Sequence, residues 1–188
     1  MAETRTPRVK ASTIAVPAVL VVVVALAALS YVASRASITK GPLFAVPGAQ
    51  STENSFTVKW QTGTDLAIIA SFIPSRAVRI RSIALTGLDP KVAFLATSEY
   101  AFWDGQGVLP SFSSETDPLP LTFHSRPIRG AFSTPAHSTV IVRLVLRAIG
   151  DAPVTDVISG IRVDGESWGW AHTTFVPFQE PVRLVPPR

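Results

Sequence analysis

No charged residue occurs between Lys10 and Arg35, and Ile14 to Ala33 is an almost unbroken run of Ile, Val, Leu and Ala. A helix needs roughly 20 apolar residues, at about 1.5 Å each, to cross a ~30 Å hydrocarbon core. The run therefore predicts one transmembrane helix over residues 13–34. Pro17 falls near its start, where a missing amide donor costs least. Arg5, Arg8 and Lys10 precede the run against one acid, Glu3, while Arg35 alone follows it closely. Positive charge beside a span is kept on the cytoplasmic side. This bias predicts a cytoplasmic basic tail (1–12), a signal anchor, and an extracytoplasmic carboxy-terminal part of a single-pass cell-membrane protein. The competing reading is a cleaved secretory signal, with Ala25-Leu26-Ala27 or Ser34-Arg35-Ala36 as the small-x-small site, which would release a secreted protein. The apolar run is longer than a typical signal core and continues past the first of these sites. No Cys follows it, so lipidation at a processed Cys is excluded.

The sequence pI of about 10.0 suggests nucleic-acid binding until the charges are counted by region. Residues 1–35 carry four basic residues and one acid; the remainder carries thirteen and twelve, a net charge of +1. The basicity is mostly a topology signal, and no nucleic-acid partner is expected. With no Cys in the chain, the part beyond the anchor must be held by burial alone. A stretch of about 150 residues is enough for one core.

After the anchor, Gly41-Pro42, Pro47-Gly48 and a polar cluster from Gln50 to Ser55 predict a linker over 35–54. From 55 to 188 the pattern is one of short strands. Phe56, Val58 and Trp60 alternate with polar residues, and Leu66 to Phe72 is uniformly apolar. Arg76 to Leu85 changes apolar phase, which calls for a bulge near Arg81 and Ser82 or for burial of both faces in the second half. Val92 to Trp103 makes a further strand or a broken pair. Asp104-Gly105-Gln106-Gly107 reads as a turn, and the Pro-rich stretch from Val108 to Ser138 leaves room only for edge strands such as Leu119 to Phe123. Thr139 to Ile149 is the clearest strand, with Val140, Val142, Leu144 and Leu146 on one face and Arg143 and Arg147 on the other. Val157 to Val163 and Gly169 to Val176 read as a hairpin turning at Asp164-Gly165, with Val182 to Val185 as a closing edge strand. Roughly eight or nine strands at this spacing predict an all-β sandwich or barrel.

The Pro-rich middle, the Pro-x-x-Ser-Thr turn into a long Val/Leu/Arg strand (Pro135 to Ile149), and Gly160-Ile161-Arg162-Val163 together resemble the immunoglobulin-like or fibronectin-like modules of bacterial extracytoplasmic proteins. The resemblance covers about Phe56 to Val185 and implies an immunoglobulin-like sandwich. The paired Cys of antibody domains is missing, as is a Tyr placed for a tyrosine corner. The likeness thus bears on fold more than on function.

Chemistry is sparse in this sequence. His124, His137 and His172 have no metal-ligand spacing and no Cys to join them, and no Gly-x-Ser-x-Gly elbow is present. Glu115-Asp117 and Asp164-Glu166 read as solvated turn acids. No catalytic residue, metal or cofactor is expected. Trp168 and Trp170, two apart, would share one face of an extended strand, roughly 7 Å apart. If exposed, they form a stacking platform for sugar rings or an anchor for a protein partner; if buried, they are core. The expectation is a non-catalytic, membrane-anchored binding or accessory module for another envelope protein. A module for binding a cell-wall polymer through Trp168 and Trp170 is the alternative.

Overall fold

The computed structural model describes residues 12–34, 36–103, 124–150 and 156–186. It divides into two compact units, one ending at Arg35 and one beginning at Ala36.

The first unit holds the single helix among the described residues, α1 (Ser12–Ser34). It starts far enough upstream that Pro17 lies in the second turn, not the first. Its described side chains, residues 19–32, are exposed. Among the described residues, no helix is long and apolar enough to cross a membrane.

The second unit is β throughout its described residues. Its strands are β1 (Ile38–Ala45), β2 (Gln50–Thr52), β3 (Ser55–Lys59), β4 (Asp65–Pro74), β5 (Val78–Thr86), β6 (Ala93–Trp103), β7 (Arg126–Pro127), β8 (Phe132–Thr134), β9 (Thr139–Ala148), β10 (Asp156–Ser167) and β11 (Trp170–Val185). They form two sheets, in the orders β1-β4-β9-β6-β7 and β2-β3-β11-β10-β5-β8. All adjacent pairs are antiparallel except β3 with β11, which run parallel from Phe56↔Val182 to Lys59↔Val185.

One core joins the sheets. Ile68, Phe72, Val140, Leu144 and Leu146 of the first sheet pack in the same cluster as Ile80, Ile158, Ile161, Val182 and Leu184 of the second. Each large aliphatic side chain removed from water contributes about 1.5–3 kcal/mol. In β9 the inward alternation is as expected, but the opposite face is also closed over the first half of the strand. Ile141 clusters there with Leu43, Ile69 and Ala101. Arg143, on that face, is 9% exposed and its guanidinium Nη1 lies 3.2 Å from Glu99 Oε1.

The linker expected over 35–54 is corrected: it contains β1 and β2. Gly41-Pro42 does not end the chain's structure but forms a bulge, where the β1–β4 register slips between Lys40 and Phe44. The buried Ser71 side chain fills the gap: its Oγ accepts from Leu43 N at 2.8 Å and donates to Leu43 O at 3.0 Å. A side-chain hydroxyl thus replaces ladder hydrogen bonds that the bulge would leave unmade. The bulge expected near Arg81 is present. Asp164 pairs with Ser82 and Gly165 with Ile80, so Arg81 is the extra residue.

The register also fixes which loops share an end. The chain enters the β unit at Ala36, and Ile38 pairs with Pro74. Ser75 N donates to Ser37 O at 2.8 Å, and His137 N donates to Pro74 O at 2.7 Å. Glu166 pairs with Arg79, near the start of β5. The β4–β5 turn, the loop before β9 and the β10–β11 hairpin tip therefore lie at the entry end. The β5–β6 connection and the end of β11 lie at the opposite end.

Candidate functional site

The β10–β11 hairpin carries the two Trp residues singled out from sequence. Asp164-Gly165 is not its turn. Both residues are inside β10, and the strands pair on to Ser167↔Trp170, leaving Trp168-Gly169 as the two-residue loop. Gly165 serves close packing instead. A Cβ there would lie 3.0 Å from Val78 Cγ2 and 3.3 Å from His172 Nε2.

Trp168 has φ 54° and Gly169 φ 80°. Two successive positive φ angles are the mark of a type I′ turn, the connection whose twist matches the flanking strands. Asn-Gly is its usual occupant, whereas a bulky L-residue in the left-handed region costs roughly 1–2 kcal/mol. This chain places an indole there and leaves it 82% exposed, with Trp170 44% exposed. Both are therefore surface residues. They do not share a strand face as expected, because Trp168 is at the turn and only Trp170 is on the strand. A flat two-ring platform is replaced by a protruding aromatic tip with a second indole at its base.

Beneath the tip, the outer surface of β5, β10 and β11 carries a cluster of polar side chains. Ser82 Oγ donates to Asp164 Oδ2 at 2.6 Å, and Thr173 Oγ1 donates to Oδ1 at 2.7 Å. These two bonds, with a smaller contribution from nearby Arg162, hold the Asp164 carboxyl below its usual range. Arg81 pairs with Glu166. Both carboxylates lie on the strand and not in a turn as expected, and both are engaged.

The three His residues lie apart. His124 and His137 have left-handed backbones. His172 is half-buried on β11, and its Nε2 has no hydrogen-bond partner among the described residues. Among the described residues no three His, Cys, Asp or Glu side chains converge as metal ligands. Asp104 to Gly107, Glu115, Asp117 and Leu119 to Phe123 lie outside the described residues.

A second feature, not singled out from sequence, lies at the opposite end. An apolar groove of about 270 Å³ opens between the end of β5 and the start of β6, lined mainly by Ile83, Leu85, Leu88, Pro90, Phe94 and Leu95. The β6–β9 register shifts between Leu95 and Thr97. Beside this bulge two consecutive apolar residues reach the surface, Phe94 at 45% and Leu95 at 38% exposure. The sequence signal was the Phe94-Leu95 pair itself. Consecutive large apolar residues cannot both face inward on a regular strand packed on one side only. No family model matches this chain, and no curated protein matches it.

Proposed function

We propose that this chain is a non-catalytic binding or accessory module of the cell envelope. In this reading residues 13–34 form a signal anchor with the basic tail inside, and the β unit is an immunoglobulin-like sandwich displayed on the extracytoplasmic side. The uncharged interval between Lys10 and Arg35 supports the anchor. Strand order supports the immunoglobulin-like assignment. β1-β4-β9-β6 follows the A-B-E-D order of such domains, and β11-β10-β5 follows G-F-C. The departure is β8, which follows β6 in the chain yet pairs with β5.

The observation that carries a binding role is the apolar groove with Phe94 and Leu95 exposed beside it. Surface apolar residues clustered at a concavity are favoured sites for a partner's side chains. The occupant proposed is an apolar segment of another envelope protein. A photo-cross-linking residue in place of Phe94, in intact cells, should yield one dominant adduct with a membrane protein. The same residue in place of Arg162, on the outer face of the other sheet, should not, and Leu95→Glu should abolish the adduct. Equal labelling from both positions would overturn the assignment.

A further inference from the structure

We infer that the groove between β5 and β6 receives the Trp168 indole of a second copy of this chain. This rests on the reading of the groove as the binding site and names its partner: the apolar segment that enters is the β10–β11 hairpin tip of another molecule.

Complementary chemistry is the first argument. Every residue lining the groove is apolar, and Phe94 and Leu95 stand 45% and 38% exposed there. A cavity of about 150 Å³ lined by such side chains takes a benzene ring, so the groove of about 270 Å³ has room for an indole. Among the described residues, the most exposed large apolar side chain of the β unit is Trp168, at 82%. The same molecule therefore carries both halves of one apolar contact.

The second argument is position. Val163 pairs with Ile83, in the wall of the groove, and Trp168 lies five positions further along the hairpin. At about 3.3 Å per residue the tip is roughly 16 Å from that wall, beyond the reach of a side chain. The groove cannot take the tip of its own molecule, so the contact is made between molecules. The third argument is the Trp168 backbone. A turn with φ 54° followed by φ 80° favours Asn-Gly, and a Trp there forgoes the preferred residue to hold a ring at the apex. Trp is also the residue type most enriched among those that dominate protein contacts.

The exposed part of the Trp168 side chain amounts to roughly 200 Å². With the matching surface of the groove the contact covers roughly 400 Å², well below the ~1,200 Å² of a stable complex, which places it in the weak class. Each copy has one tip and one groove, so the contact joins unlike patches. Two copies can exchange tips as a reciprocal pair, or several can close a ring or run on head to tail. In the closed forms the last contact is intramolecular and adds avidity to the first.

The test uses the full chain in excess detergent micelles, followed by sedimentation velocity from roughly 10 µM to 1 mM, the range of a weak contact. The parent should associate as concentration rises. W168N and L95E, each alone, should associate at least about tenfold more weakly. W168N keeps its groove and L95E keeps its tip, so mixing the two should restore a complex that stops at one of each. F94E, at the more exposed neighbour, serves in place of L95E if circular dichroism shows that L95E is unfolded. A benzophenone amino acid in place of Trp168 should cross-link to the Ile83 to Leu95 region of an isotopically heavy second copy. A parent that stays monomeric, variants that associate as the parent does, a mixture that forms no complex, or cross-links confined to one molecule would each overturn the inference. The Phe94 cross-link in intact cells separates it from the reading on which it rests. An adduct with this chain itself supports both, a dominant adduct with a different membrane protein overturns the second copy and leaves the groove as the binding site, and no specific adduct overturns both.

Discussion

Replacing Trp168 with Asn separates what the hairpin needs for folding from what it displays. The parent residue has φ 54° followed by Gly169 at φ 80°, a conformation in which most L-residues lose roughly 1–2 kcal/mol and Asn loses much less. Against that gain stands the burial Trp168 gives up. At 82% exposure it hides about a fifth of its surface, roughly 40 Å² and so no more than about 1 kcal/mol. The net expectation for Trp168→Asn is a stabilisation of about 0.5–1 kcal/mol, or about 1–4 °C for a domain of this size. Trp168→Ala is the control. It loses the same burial and keeps the left-handed penalty, so it should be at least about 1 kcal/mol less stable than the Asn variant. Urea unfolding of the full chain in detergent micelles, followed by far-UV circular dichroism at a shared m-value, ranks the three proteins. An Asn variant no more stable than the Ala variant would refute the argument that the turn carries strain for the sake of an exposed indole. A stability gain on replacing the exposed indole is the trade expected of a surface residue kept for a role other than folding.

Three further perturbations probe the frame that holds the two ends apart. Gly41→Ala should destabilise the β unit by about 1–3 kcal/mol, because the new Cβ would overlap Ser71 Oγ and sit 2.9 Å from the Ser71 carbonyl carbon; a urea midpoint unchanged from the parent would show that the β1 bulge relaxes freely. Glu99→Ala should cost about 2 kcal/mol or more, since it removes a carboxylate from an Arg143 side chain only 11% exposed. Asp65→Ala, at an exposed pair with Arg147, should change the midpoint little, and the reverse ranking would refute the burial argument. Acid titration of stability is the last prediction. The Asp65 carboxyl is held low by its hydrogen bond from Arg147, and the Asp164 carboxyl by those from Ser82 and Thr173. Folded values below the unfolded value of about 3.9 mean that both groups stabilise the fold above that pH and lose their contribution as pH falls through the folded values. The urea midpoint should hold steady from neutrality to about pH 5 and fall below about pH 4, less steeply in the double variant S82A/T173A.

Local pattern revealed those elements whose side chains answer to one nearby face. β9 was legible because Val140, Val142, Leu144 and Leu146 alternate inward, and the bulge at Arg81 because a change of apolar phase inside a strand demands either an extra residue or burial of both faces. β1 was not legible. Its strand character depends on Ser71, distant in sequence, whose hydroxyl bonds both backbone groups of Leu43, while Gly41-Pro42 gives the local signal of a loop. The hairpin turn was misplaced for a related reason. Asp-Gly is a strong turn pair in isolation, but Gly165 lies inside β10, where a Cβ would sit tightly against the Val78 and His172 side chains, and the strands pair on past it to the turn at Trp168-Gly169. Of the candidate site, the residue types were legible and the arrangement was not: Trp168 and Trp170 are exposed, yet only one of them stands on a strand. The groove was hidden because it is made by two sheets and a bulge, none of which has a sequence period of its own.

The parallel pairing of β3 with β11 sets the order in which the β unit can be completed. Phe56 to Lys59 hydrogen-bond to Val182 to Val185, so a strand made among the first waits for one made among the last. On the ribosome, or in a translocation channel that feeds the chain out amino terminus first, β3 emerges long before its central partner. Until Val185 arrives, the sheet has an open edge at β3, where Val58 is destined for burial, and it is in this interval that the chain is exposed to aggregation and to chaperones. Loss of even the last few residues of β11 would remove this closing step, leaving a product that keeps most of its core yet remains permanently in its half-made state.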